Sequence, residues 1–141
     1  ASRFGLMASY AAVRSGLAAR LATSSTFVQV AATMPDTVTA PCAIVQPGSP
    51  VVEYHQAFGN GLERYVFKIM VLAQRFDEAA NQTLLDGFLS GSGSVRALIE
   101  GDITLGGSAS TCEVVSCDMY GLLEINEAAF LALEFTTEVY A

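Results

Sequence analysis

Apolar residues near the start of the chain recur at spacings of three and four. They are Leu6, Tyr10, Val13, Leu17 and Leu21. This is the period of an amphipathic helix, in which one stripe faces the core. The pattern predicts a helix over residues 1–22, ended by the polar Thr-Ser-Ser run at 23–25.

Residues 26–50 contain all four prolines of the chain and no Lys or Arg. Strand-like pieces lie at 27–31 and 42–46. Because proline cannot donate a ladder hydrogen bond, this composition predicts an edge strand and extended loop, not central sheet.

Two further strands are predicted at 51–54 and 64–75, joined by a loop with Gly-Asn-Gly at 59–61. The second strand alternates between an apolar face and a mixed face. The apolar face comprises Tyr65, Phe67, Ile69, Val71 and Ala73. Such a strand packs one side against helices.

A helix pair follows at 77–89 and 94–100. Asp77 and Ser94 are the expected N-caps, because their side chains accept backbone N–H bonds. The loop Ser-Gly-Ser-Gly at 90–93 separates the helices. Their expected buried stripes are Ala80, Leu84, Leu85 and Phe88, then Val95, Leu98 and Ile99.

The residue pattern in the last third of the chain predicts strands at 112–118, 122–125 and 130–140, with turns at 120–121 and 126–127. In the final strand, apolar and polar residues alternate. The order of helix, strands, helix pair and strands predicts one α+β domain over residues 1–141. We expect the helices to cover one face of a mainly antiparallel sheet, a loop between strands to protrude, and the other face to meet a partner.

Composition and net charge argue against several classes of protein. The chain is 52% apolar, only 15% charged, and carries a net charge of −7. These values exclude a disordered chain and argue against binding to DNA or to an anionic membrane. No apolar stretch has the length of a membrane span.

The three cysteines form no CxxC motif, so we expect reduced thiols and no zinc site. They are Cys42, Cys112 and Cys117. The spacing of five between the last two places them on opposite faces of a regular strand.

No enzyme motif is evident. The single histidine, His55, lies in a loop without the partners that a catalytic base needs. The glycines at 91 and 93 lack the Gly-Lys-Ser/Thr ending of a phosphate loop, and no calcium-loop pattern occurs. We predict no catalytic site, no cofactor and no metal.

Candidate contact residues come from apolar bulk in segments expected to be loops. Exposed apolar groups in a loop suggest contact with another subunit, while the alternative is a loop folded onto its own core. The candidates are Tyr54, His55, Phe58 and Leu62 in the loop at 54–63, and Val38 and Val45 in the proline-rich segment.

Glu134, Thr136 and Glu138 share the polar face of the last predicted strand. They are expected to form a solvated sheet face, the lining of a negatively charged lumen, or both.

Several segments, in this order and at these spacings, carry a family resemblance. They are PDTVTAP at 35–41, VQPGSPVVEY at 45–54, AFG at 57–59, RY at 64–65, LSGSG at 89–93 and EFTTEVY at 134–140. Together they resemble the tail terminator proteins of long-tailed siphophages, especially those that infect actinobacteria. The resemblance extends over nearly the whole chain.

The resemblance implies a virion structural protein, not an enzyme. Members of the family form a hexameric ring on the last ring of the tail tube. They stop tube polymerisation and provide the surface that joins the head connector. The resemblance also implies an α+β fold and a location at the tail–neck junction after assembly in the host cytoplasm. It implies three partners: further copies of the chain, the tail tube protein and the head connector. DNA is expected to pass through the ring without specific binding.

Two alternatives remain from the sequence. One is another neck component, a head-tail stopper or adaptor ring, although stoppers tend to be smaller and more barrel-like. The other is a small cytosolic α+β ligand-binding module, which requires a concave pocket with convergent polar groups.

Overall fold

The computed structural model describes residues 9–54, 63–74, 78–107, 109–125 and 127–140. Residues 1–8 of the first predicted helix and the predicted cap Asp77 lie outside these ranges. The helices are α1 (Tyr10–Ala22), α2 (Glu78–Leu89) and α3 (Val95–Glu100), followed by a short 3₁₀ turn, Leu105–Gly107. The strands are β1 (Gln29–Ala31), β2 (Cys42–Tyr54), β3 (Glu63–Gln74), β4 (Thr111–Ile125) and β5 (Ala128–Tyr140).

The five strands form one sheet in the order β1-β2-β3-β5-β4. Strand β1 runs parallel to β2, and every other neighbouring pair is antiparallel. The predicted α+β fold with a mainly antiparallel sheet is therefore confirmed.

The proline-rich segment forms the edge of the sheet only in part. β1 is an edge strand, as predicted, but the start of β2 lies between β1 and β3. Pro47 and Pro50 come later in β2, beyond its pairing with β1. A missing N–H costs little there because β2 pairs on one side only along that stretch.

The helices bury one face of the sheet. Ser9 caps α1 by accepting the N–H of Ala12 at 3.0 Å, and Ser94 caps α3 by accepting that of Ala97 at 3.1 Å. The predicted apolar face of β3 is buried against these helices. Their own buried contacts are Val13, Leu17, Leu21, Leu85, Phe88, Val95 and Ile99.

Ala80 is a correction to the predicted stripe of α2. It is exposed, whereas Leu85 and Phe88 are buried. Only the second half of α2 packs on the core, so the apolar period of its first turn has no partner to bury it.

The helix-free face of the sheet divides into two halves. One half is an apolar cluster built on Ile44, Met70, Leu72 and Phe130, against which Val38 of the proline-rich segment packs. The other half carries charged side chains. The expectation of a face wholly available to a partner is therefore wrong for the apolar half, which is already buried.

Strands β4 and β5 form a long hairpin that corrects the predicted turn at 120–121. Tyr120 pairs with Leu133 and Gly121 with Ala132, so β4 continues past residues 120–121 to Ile125. Pairing with β5 along the whole length of β4 overrides the turn preference of glycine.

Two register shifts interrupt β4, between Val114 and Ser116 and between Cys117 and Met119. The first shift overturns the prediction for the cysteines. Cys112 pairs with Val139 and Cys117 with Phe135, two residues of one β5 face, because a bulge adds a residue and reverses the alternation.

Candidate functional site

The charged half of the helix-free face is organised around Arg64. Its guanidinium binds the carboxylate of Glu53 on β2 and that of Glu138 on β5. The hydroxyl of Tyr140 donates a further hydrogen bond to Glu138 at 3.2 Å. One arginine of β3 thereby joins three adjacent strands.

Lys68 forms a second cluster, four residues further along β3. Its Nζ atom lies 3.2 Å from Oε1 of Glu134 and 3.5 Å from Oδ2 of Asp118. Asp118 also accepts hydrogen bonds from the hydroxyls of Thr136 and, at 2.8 Å, Ser116. This cluster connects β3, β5 and β4.

These contacts favour the ionised form of the carboxylates. The hydrogen bond from Arg64 holds the pKa of Glu138 below its usual range. Hydrogen bonds from Thr136 and Ser116 lower the pKa of Asp118 in the same way. Carboxylates that are ionised and paired at neutral pH are suited to joining the four strands, and are less suited to transferring a proton near pH 7.

The predicted residues Glu134, Thr136 and Glu138 all lie on this helix-free face. Glu134 pairs with Lys68 and Glu138 with Arg64. The sequence pattern had not predicted these ion pairs. The face nevertheless stays acidic because four carboxylates pair with two cations and Glu113, opposite Glu138, adds a fifth negative charge. The carboxylates are Glu53, Glu113, Asp118, Glu134 and Glu138. A role as lumen lining remains a prediction.

Arg64 and Lys68 were missed as site residues, although the sequence holds a signal for them. They are four residues apart on one face of β3, and Glu134 and Glu138 are four apart on one face of β5. Equal spacing of opposite charges on two strands favours cross-strand pairs if the strands are neighbours.

The structure does not place all the predicted contact residues in the same environment. Tyr54 ends β2 with 78% of its surface exposed, so it is accessible to a partner. Val38 lines an open groove of about 260 Å³ beside the tip of the β4–β5 hairpin. His55, Phe58 and Leu62 lie outside the described residues.

Val45 is a correction, because it is only 1% exposed and belongs to the helix-side core. Its neighbour Ile44 is buried in the apolar cluster of the opposite face. Both faces of β2 are covered at this point, so the alternative of a segment folded onto its own core holds here.

Of the nine large apolar side chains that are exposed among the described residues, three lie on β4. Val115, Tyr120 and Leu122 are 50%, 44% and 55% exposed. At the opposite edge of the sheet, Val28 is 66% exposed immediately before β1. Exposed apolar rows at sheet edges are typical of surfaces that contact other proteins.

The three cysteines form no disulfide in this structure. Burial raises the pKa of Cys42 and of Cys112 to about 11, so these two stay protonated. Cys117 is exposed. Among the described residues, no three His, Cys, Asp or Glu side chains come together as a metal site, and no helix there is long and apolar enough to cross a membrane.

No family model matches this chain, and no curated protein matches it either.

Proposed function

We propose that this chain is a virion structural protein, a tail terminator of a long-tailed phage. In this role, copies of the chain form a ring at the head-proximal end of the tail tube. The ring ends tube polymerisation and provides the surface that joins the head connector. The sequence segments that resemble this family support the specific role, and the confirmed α+β fold agrees with it.

The observation that carries a ring-forming role is the pair of apolar sheet edges. Closed rings are built from heterologous contacts, in which one patch of a subunit meets a different patch of the next. This chain exposes Val28 at one edge of its sheet and Tyr120 and Leu122 at the other. Two separate apolar patches on one subunit are what a head-to-tail contact requires.

The charge of the chain agrees with a channel that DNA traverses. Each copy contributes a net charge of −7, and on the described helix-free face carboxylates outnumber cations. An acidic ring repels the phosphate backbone, so DNA passes without adhering.

The test is to measure the mass of the purified protein alone and with preformed tail tubes, and to image the mixture by negative stain. We expect six-fold rings at one end of each tube. Added before polymerisation is complete, the protein is also expected to shorten the tubes. The matched control is Leu122→Asp, which places a charge on the exposed edge without entering the core.

The other functions have distinct outcomes in the same experiment. Rings that bind a head connector and ignore tube ends would identify an adaptor or stopper and overturn the terminator role. A protein that stays monomeric with tubes, and whose melting temperature rises with a metabolite, would identify a ligand-binding module.

A further inference from the structure

The two edges of the sheet carry apolar side chains at the same level. The strand register pairs Val30 of β1 with Ala43, Ala43 with Val71, Val71 with Leu133, and Leu133 with Tyr120 of β4. Val30 and Tyr120 are therefore the two ends of one row that crosses the whole sheet.

Both ends of this row lie on the helix side. Val30 packs against the helix-side core, and the Tyr120 hydroxyl donates to Asp86 of α2 at 3.1 Å. Leu122 follows Tyr120 by two residues in β4 and therefore shares its face. Exposed Val28 precedes Val30 by two residues. A sheet continued from one copy to the next would bring Val30, Tyr120 and Leu122 together on one face, whereas Val28 precedes β1 and turns its N–H, like that of Gln29, to Pro41.

The strand directions also fit. β1 is parallel to β2, and three successive antiparallel pairings lead from β2 through β3 and β5 to β4. β1 and β4 therefore run in opposite directions. If the next copy keeps its helices on the same side, its β1 lies antiparallel to β4.

The backbone groups at the two edges are complementary as well. Gln29 donates its N–H to the carbonyl of Pro41 at 3.3 Å, so the alternate residue Val30 turns its N–H and C=O to the open side of β1. On β4, alternation is counted from Ile125, which pairs with Ala128 at the end of the hairpin. It turns the groups of Tyr120 to the open side.

Only the second half of β4 accepts a strand. In the first half, the carboxylate of Glu100 already takes the N–H of Val114, and two bulges break the regular ladder. Residues 119–125 are regular and contain no Lys, Arg or Pro, the residues that usually protect an edge. Residues 26–31 of the other edge carry no charge, so Glu124 of β4 meets no opposing acid.

From these features we infer that β4 of one copy pairs antiparallel with β1 of the next, with Val30 opposite Tyr120. The sheet then continues from subunit to subunit. This interface deepens the proposed function and rests on the chain forming a ring. Because β1 has only three residues, each contact is small, and in a closed ring every copy is held by two such contacts, one at each edge of its sheet.

Disulfide trapping tests the pairing directly. In a Cys117→Ser background, Val30→Cys and Tyr120→Cys are made as single variants and as a double variant. Directly opposed residues of an antiparallel pair have the Cα separation that a disulfide needs. Mixing the two single variants under oxidising conditions should shift both from monomer to a covalent dimer. The double variant should form a ladder that ends at the closed ring.

The matched control is a mixture of the single variants Val30→Cys and Val115→Cys. Val115 is an exposed position in the first half of β4, so the proteins of this mixture should remain monomeric. Covalent dimers of Tyr120→Cys alone would show symmetric β4–β4 pairing and overturn the inference. A protein that gives no cross-link in solution or on tail tubes would also overturn it.

The same variants separate the interface from the function. Rings that cap tubes but are not trapped by the cysteine pair would overturn this interface and leave the terminator role standing. A trapped ring that does not bind tube ends would support the interface and overturn the terminator role.

Discussion

The carboxylate of Glu100 accepts the backbone N–H of Val114 at 3.1 Å and so joins the end of α3 to the edge of β4. Arg96, one helical turn earlier, donates to the same carboxylate at 3.3 Å. A side chain therefore covers the first half of an edge strand whose second half is open. This contrast restricts strand addition to residues 119–125.

Glu100→Ala leaves the N–H of Val114 without its acceptor in a partly buried position. We expect the free energy of unfolding to fall by about 1–3 kcal/mol, the range for hydrogen bonds to charged groups. Urea unfolding measures it. Arg96→Ala is the control, because Arg96 is 72% exposed and its ion pair contributes less than about 1 kcal/mol. Equal losses in both variants would contradict a special role for the Val114 contact.

Arg64→Met removes the cation shared by Glu53 and Glu138. The two carboxylates then lie close together without a counter-charge, so we expect a loss of about 1–3 kcal/mol in urea unfolding, below the full cost of breaking a buried pair because the site is partly exposed. Glu53→Gln is the control, since Arg64 keeps Glu138. A loss in Glu53→Gln as large as in Arg64→Met would refute the central position of the arginine.

The carboxylates of the two clusters make stability depend on acid pH. The pKa values of Glu138 and Asp118 are lowered in the folded state, whereas in an unfolded chain they are about 4.3 and 3.9. Their contribution is therefore complete above these unfolded values and is lost as pH falls through the lower folded values.

We expect the urea midpoint to change little between pH 7 and pH 5 on account of these groups, and to fall below about pH 4.5. The double variant Glu138→Gln, Asp118→Asn should be less stable at neutral pH and show a shallower acid decline. If its decline from pH 5 to pH 3 matches that of the natural chain, these carboxylates do not carry the effect.

The sequence predicted best those elements whose side chains face two different environments. In β3 and β5, one face is apolar and packs on the helices, while the other face mixes charged and apolar residues, so the helix-side period of two can be read from the residues. The same logic failed for Val45, because both faces of β2 are buried there and alternation carries no information.

The irregularities of β4 could not be predicted from the sequence, for a different reason. Its bulges lie in the pairing with β5 and begin next to the contact that α3 makes at Val114, and both of these are tertiary features. The faces of Cys112 and Cys117 followed from those bulges. The ion pairs around Arg64 and Lys68 likewise required knowing that β3 and β5 are neighbours, although they are far apart along the chain.

Gly48 occupies a close approach between β2 and β3 that leaves no room for a side chain. A Cβ atom at this position would lie 2.5 Å from Cγ1 of Val66 and 2.9 Å from its backbone carbonyl carbon and oxygen. The methyl of Val66 can turn aside, but its backbone is fixed in the sheet. Gly48→Ala is therefore expected to destabilise the chain by about 1–3 kcal/mol, the usual cost of overpacking.

Gly87→Ala is the matched substitution with the opposite expected sign. Gly87 lies within α2, and a Cβ atom there meets nothing within 4 Å. Alanine is the better helix former, so we expect a gain of up to about 1 kcal/mol. Urea unfolding of both variants gives the comparison. A neutral Gly48→Ala beside a stabilising Gly87→Ala would show that β2 and β3 separate easily at this point.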